Sequence, residues 1–150
     1  YRQFNKELEL RKDLIDKLTF ERLYRGKHIL DESYKNAKNK KKELTQNIHE
    51  ALENFDILIT PTNFDLPFNL GDISQINKYY MRHARSPFNV SGHPAISVPC
   101  GLSKTNLSIG FQIVGRYNAD QFISDIAHDF LIKTDWENIR KKEIIRADFI

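Results

Sequence analysis

Cysteine is almost missing: Cys100 is the single one in 150 residues. No intrachain disulfide can form, so a disulfide-stapled secreted scaffold is excluded and a reducing, cytoplasmic setting is expected. Glycine (6) and proline (5) are scarce, which excludes collagen-like and low-complexity classes. No apolar run approaches the roughly 18 residues of a membrane span, so no membrane partner is expected. The first ten residues are charged and offer no signal-peptide core. They also lack an initiator Met. The expectation is a processed chain, or one that starts partway into a longer protein.

The motifs of self-contained active sites are missing too. There is no G-x-S-x-G elbow, S-x-x-K, P-loop, G-x-G-x-x-G or H-E-x-x-H. The five histidines are scattered at 28, 49, 83, 93 and 128, so no metal-ligand spacing exists and no metal is expected. Cys100 as nucleophile with His93 as base and Asn89 as orienter is conceivable. A buried thiol at a strand end is the simpler reading, because a reactive thiol needs an electropositive, part-exposed setting. His93, between Gly92 and Pro94, reads as a turn residue before a proton carrier. Asp120, Asp125 and Asp129 are spaced too loosely for paired carboxylates and read as a solvated face.

What is present is a chain of ordinary domain length, 40% hydrophobic and 29% charged. A domain of this size buries roughly two-thirds of its unfolded surface. The net charge of +3 comes from residues 1–54, which carry 13 Lys/Arg against 10 Asp/Glu; residues 55–134 and 135–150 balance. The densest run is Lys38, Lys40, Lys41 and Lys42, a solvated helix face before a phosphate-binding patch.

Along the chain, residues 1–54 read as a helical segment. Phe4, Leu8, Ile15 and Leu18 follow helical spacing until Gly26. A second helix starts near Asp31 to Ser33, with Tyr34, Ala37, Leu44, Ile48, Ala51, Leu52 and Phe55 as its stripe. Ile57-Leu58-Ile59 reads as a short buried strand stopped by Thr60-Pro61-Thr62. Residues 63–77 read as loop. Residues 78–91 are ambiguous, with Pro87 able to open a helix and Gly92-His93-Pro94 ending it. Residues 95–99 form a strand with Pro99 at its end or edge. Residues 108–114 form another, with Ile109, Phe111 and Ile113 on one face and Ser108, Gly110 and Gln112 on the other, antiparallel to the first. Gly110 suggests a bulge or close approach. Asn118 and Gln121 form a capping box for a helix with Phe122, Ile123, Ile126, Ala127, Phe130 and Leu131 on one face, ending near Thr134 to Trp136. Residues 137–150 are a charged tail.

Three stretches carry a resemblance: Asp56 to Thr62, Pro87 to Gly101, and Ile109 to Arg116. Each is weak alone. In this order, with Ala127-His128 and Thr134-Asp135-Trp136 after them, the chain resembles the C-terminal third of the amidase signature family over residues 31–137, most closely from 55 to 136. The resemblance implies an α/β fold, a mixed β-sheet flanked by helices, forming one partial domain over residues 1–150. It implies carboxamide hydrolysis to acid and ammonia through a serine acyl-enzyme, with no cofactor and a small-molecule amide as partner. The family's Lys, cis-Ser and nucleophilic Ser precede the segments seen here, so no catalytic residue is expected in this chain. The segment would contribute sheet and pocket wall, with Thr60, Thr62, Arg82 and Asn89 as substrate-binding candidates. Turn chemistry competes for Thr60 and Thr62, and a helix end for Asn89.

The glutamine-dependent tRNA amidotransferase branch is expected to carry an Asp where Arg82 stands. An Arg repels an ammonium and attracts a carboxylate, which favours a stand-alone amidase. Three alternatives stay open. The first is an inactive remnant or binding module. The second is part of the A chain of a tRNA-dependent amidotransferase. The third is a small RNA-associated module using the Lys38–Lys42 face. Nucleic acid is the least favoured partner. The isolated chain is expected to self-associate, because strands taken from a larger sheet leave an edge and an apolar face uncovered.

Overall fold

The structure, a computed structural model, describes residues 3–69 and 71–147. They divide into two compact units that meet in sequence between Lys41 and Lys42. In the first, the helical spacing from Phe4 to Leu18 breaks into α1 (Asn5–Leu10), a 3-10 turn and α2 (Lys17–Tyr24). The break falls at Ile15, which is extended, and Asp16, whose carboxylate accepts from the Thr19 N–H at 2.9 Å to cap α2. That bond holds the Asp16 carboxyl below its ordinary value. Gly26 lies in a further 3-10 turn. Helix α3 (Asp31–Asn54) starts where the capping residues placed it and runs across the boundary between the units.

The second unit is a three-stranded antiparallel sheet between helices. Strands β1 (Leu58–Pro61), β2 (Ala95–Leu102) and β3 (Ser108–Val114) lie in the order β1-β3-β2. Helix α6 (Asp120–Lys133) packs on β2 and β3, joining Ile123 and Ala127 to Val98 and Ile113 in one core cluster. On the opposite face Val114 meets Ile48 and Leu52 of α3 and Phe88 of α5 (Ser86–Ser91), with Leu58 alongside. Arg116 secures that layer. Its Nε donates to the Leu52 carbonyl at 2.8 Å, filling one of the acceptors a helix C-terminus leaves open.

Several expectations change. The buried run 57–59 is instead an edge strand whose positions alternate, with Ile59 62% exposed. Among the described residues α6 packs chiefly on β2 and β3, so the β1 face that carries Ile59 is left open while the opposite face is partly covered. Of the α3 stripe, Ile48 and Leu52 are buried, while Tyr34 and Phe55 are exposed. A helix, α4 (Ile73–Tyr79), capped by Asp72, starts within the stretch 63–77 read as loop and runs past its end; seven residues are too few for a clear period. Pro87 does open α5, and Gly92, at φ +84°, closes it.

Strand β2 continues through Pro99 to Leu102, because it is an edge and carries a bulge. Pro99 faces Gly110 and Gly101 faces Ile109, so Cys100 is the extra residue. The bulge turns it outward: Cys100 is exposed, not buried, and its Sγ donates to the Ile109 carbonyl at 3.5 Å. The capping box is absent. Asn118 takes a left-handed conformation, Ala119 occupies the cap with no side-chain bond, and Gln121 bonds Asp125. Along α6, Phe122 is exposed rather than part of the buried face. Gly115 is required at the exit of β3, since a Cβ there would sit 2.6 Å from Ile123 Cγ2. Helix α7 (Trp136–Ala147) takes in most of the charged tail read over 137–150; residues 148–150 lie outside the described residues.

Candidate functional site

One face of the sheet grades from apolar to polar to open. Paired residues on antiparallel strands point the same way. Val114, with Leu58 and Ala95 as partners, lies at the end covered by α3 and α5. One step along, Gln112 stands between Thr60 and Ser97. A further step reaches Gly110, where no helix of the core clusters covers the sheet.

Gln112 is 3% exposed. Its Nε2 donates to Thr60 Oγ1 at 2.8 Å and to the Ala84 carbonyl at 3.0 Å, with the Pro61 carbonyl at 3.4 Å. Residues 62–84 are therefore an excursion from β1 with a closed base. The Thr62 N–H continues the ladder to the Gly110 carbonyl at 3.3 Å, and the Ala84 N–H donates to the Thr62 carbonyl at 3.2 Å. The Phe64 N–H donates to the Arg82 carbonyl at 3.2 Å, and Asn63 and His83 form an antiparallel bridge.

The open end of the face floors a cleft of about 400 Å³. The hydroxyls of Thr62 and Ser97 stand 2.9 Å apart. One of their two O–H protons serves the bond between them; the other remains to donate. Gly110 makes room there: a Cβ would lie 3.3 Å from the Val98 carbonyl oxygen, 3.6 Å from Ser97 Oγ and 3.7 Å from Thr62 Oγ1. Asn63 to Pro67 form one wall, Pro99 and Ile109 part of the other. A neutral polar group such as a carboxamide suits this floor, which offers a donor and several lone pairs but no charge.

A second cleft of about 280 Å³ shares Asn63, Asp65, Leu66 and Pro67 with the first and adds Phe68, Tyr79, Tyr80, Arg82 and Arg85. Arg82 Nε donates to Asp65 Oδ2 at 2.6 Å, and the carboxylate holds the guanidinium above its ordinary value. The position read as a free positive charge is thus one half of an ion pair.

Of the four residues expected to bind substrate, Thr62 lines the first cleft and Arg82 the second. Thr60 is turned to Gln112, and Asn89 is exposed on α5; neither lines these two clefts. Cys100 and His93 are not a dyad. His93 lies two positions before β2 and Cys100 five positions into it, about 20 Å apart at strand rise. Among the described residues no group of three or more His, Cys, Asp or Glu could hold a metal ion. Ser97, Gly110 and Gln112 were missed as site residues. Their signal was in the alternation that put Ser108, Gly110 and Gln112 on one face of β3, polar where a two-sided core would be apolar.

His93 is 5% exposed and structural in its surroundings. Its ring stacks on Tyr117 at 4.3 Å, and Tyr117 donates to the Ser91 carbonyl at 2.8 Å. His93 Nδ1 lies 2.9 Å from Ser91 Oγ, which itself donates to the Phe88 carbonyl. Nδ1 therefore carries the proton, and the buried Nε2 has no partner among the described residues. Burial first, and His49 second, push its pKa below the ordinary 6.5.

Two outcomes follow. Gln112→Glu keeps the shape but removes both N–H donors and buries a charge against carbonyl oxygens. It should cost about 3 kcal/mol in urea denaturation, and an unchanged midpoint would show that Gln112 does not tie the sheet to the excursion. For His93, the folded pKa lies below the unfolded one, so stability is whole above about pH 6.5 and falls as acid protonates the unfolded state first. The melting temperature should drop between about pH 7.5 and 5.5, and His93→Phe should flatten that dependence. An equally steep profile in the variant would assign the effect elsewhere.

A family model described as Amidase matches residues 4–123. The A chain of glutamyl-tRNA(Gln) amidotransferase from Dehalococcoides mccartyi is 40% identical over 108 residues, covering 71% of this chain and 22% of that protein. The chain thus spans about a fifth of the length of this relative. Among solved structures, the corresponding glutamyl-tRNA(Gln) amidotransferase chain from Thermotoga maritima is 30% identical, covers 80% of this chain and 25% of that one, and has a TM-score of 0.56. A bacterial aryl acylamidase of the amidase signature family, 24% identical, covers 83% of this chain and 27% of that one at a TM-score of 0.70 and shares the fold. The α/β architecture of a sheet flanked by helices is the one these neighbours share, and the chain belongs to the amidase family.

Proposed function

We propose that these residues form the substrate wall of an amide-hydrolysing enzyme whose nucleophile and base lie outside them. The observation that carries this reading is the uncharged hydroxyl floor, Thr62 and Ser97 across Gly110, at the base of an open cleft in an amidase-family chain. Such a floor can hold and orient a carboxamide by hydrogen bonds. Its hydroxyls bond each other, and among the described residues neither is hydrogen-bonded to a base that could activate it; Cys100 is absent from the cleft lining. Turnover without nucleophile and base would be residual at most. The cytoplasm, where a lone cysteine stays reduced, is the setting of this proposal.

A second reading is favoured by the relative at 40% identity, whose name is that of one component of an amidotransferase. The objection raised from Arg82 is weakened by its pairing with Asp65. On that reading the amide donor is glutamine and the enzyme works with partner subunits.

Ammonia release tests both. The 150 residues alone should release none above background from aliphatic amides, aromatic amides or glutamine, whereas the protein isolated from its source should. Thr62→Val in that protein should raise KM several-fold with little change in kcat. Turnover by the 150 residues would place the catalytic groups within them. Glutamine as the single accepted amide would select the amidotransferase reading. The same proposal includes self-association of the isolated chain through β1 and β2, each paired on one side alone among the described residues. A monomer in sedimentation velocity at tens of micromolar would contradict it.

A further inference from the structure

The second cleft has a charge pattern that the hydroxyl floor does not use. Between residues 62 and 85 the basic side chains are Lys78, Arg82, His83 and Arg85, and the acidic ones are Asp65 and Asp72. Asp72 is committed to the N-cap of α4, accepting from the Gln75 N–H at 3.0 Å. Asp65 is committed to Arg82, and through Nε, so the guanidinium's two terminal nitrogens make no hydrogen bond among the described residues. Arg85 has neither ion pair nor side-chain hydrogen bond among them. Lys78 and Arg82 both lie over the Tyr79 ring, at 4.9 and 5.9 Å. The cleft therefore presents two guanidinium groups against one carboxylate. Around them stand Phe68, Tyr79 and Tyr80. Planar forks with unused N–H donors match a carboxylate, and the rings match a flat or apolar body beside it.

We propose that this cleft binds the carboxylate of a small organic acid, with Arg85 as its main anchor, Arg82 as its second donor and Asp65 as a built-in competitor. On the amide-hydrolysis reading, the acid group belongs to the substrate, and the site selects amides that carry a carboxylate at a distance from the scissile bond. Asn63 and Asp65 to Pro67 are shared by both clefts, so an acid in one and a carboxamide in the other would sit on either side of the same strip of backbone.

The test is ligand-observed fluorine NMR on the protein as isolated, with 4-fluorobenzoate and its neutral counterpart 4-fluorobenzamide at pH 7.5. The acid should bind about tenfold more tightly than the amide, as charge-assisted bonds require. Arg85→Gln should remove about that factor for the acid and leave the amide unchanged. Asp65→Asn should tighten the acid, because it frees Arg82; a merely structural Asp65 would leave it unchanged or weaken it. Arg85→Lys, which keeps the charge but loses the fork, should fall between, and guards against misfolding of the glutamine variant. Equal binding of acid and amide, or full acid affinity in Arg85→Gln, overturns the site. Acid binding in a protein without amide turnover overturns the hydrolase reading and keeps the site; turnover without acid binding does the reverse.

Discussion

The bond system of Gln112 is the constraint on which the rest of the second unit depends. A buried side-chain amide is costly unless its donors are matched, and here they are matched by a β1 hydroxyl and by a carbonyl 28 residues away in sequence. The first bond ties β3 to the edge strand through side chains as well as backbone. The second fixes Ala84, whose own N–H returns to the Thr62 carbonyl. The excursion over residues 62–84 therefore starts and ends at one point on the sheet. Without that closure Asp65 and Arg82 would not meet, and neither cleft would have its shared wall.

The same face explains why the floor is polar. A sheet covered by helices on both sides reads as continuous apolar strands. Here α6 covers one side, whereas α3 and α5 reach only the Val114 end of the other. Beyond their reach, the residues facing out must satisfy themselves or meet water or a ligand. Gln112 is satisfied by protein. Thr62 and Ser97 satisfy each other in part, which leaves a donor facing the cleft. Gly110 contributes by omission: any Cβ would press on the Val98 carbonyl and fill the space between the hydroxyls.

Much of this was legible in the sequence, and the rest failed for identifiable reasons. The alternation Ile109-Gly110-Phe111-Gln112-Ile113 gave the strand, its two faces and its antiparallel partner, because period two is a direct imprint of the pleat. Pro87 and Gly92 gave the limits of α5, since each has a conformational requirement of its own. Helix α4 left no such imprint, being two turns long. Hydrophobicity alone places Cys100 inside, whereas the bulge adds a residue and reverses the facing of its side chain. Asn118 and Gln121 had the capping spacing, but a left-handed Asn118 redirects both side chains.

The hardest feature to read was electrostatic. Arg82 looked like a free charge because Asp65, 17 residues earlier, lies in a stretch with no periodicity to place it. Charge in a sequence is local, whereas the field in a cleft is the sum over whatever the fold assembles. Once the excursion closes, Arg82 is paired with Asp65, and Arg85, three residues on, is the cation without an acid among the described residues. A single-residue comparison of an Arg with an expected Asp therefore carries little about ligand charge. The pairings decide it, and they are set by the backbone bonds at the base of the excursion.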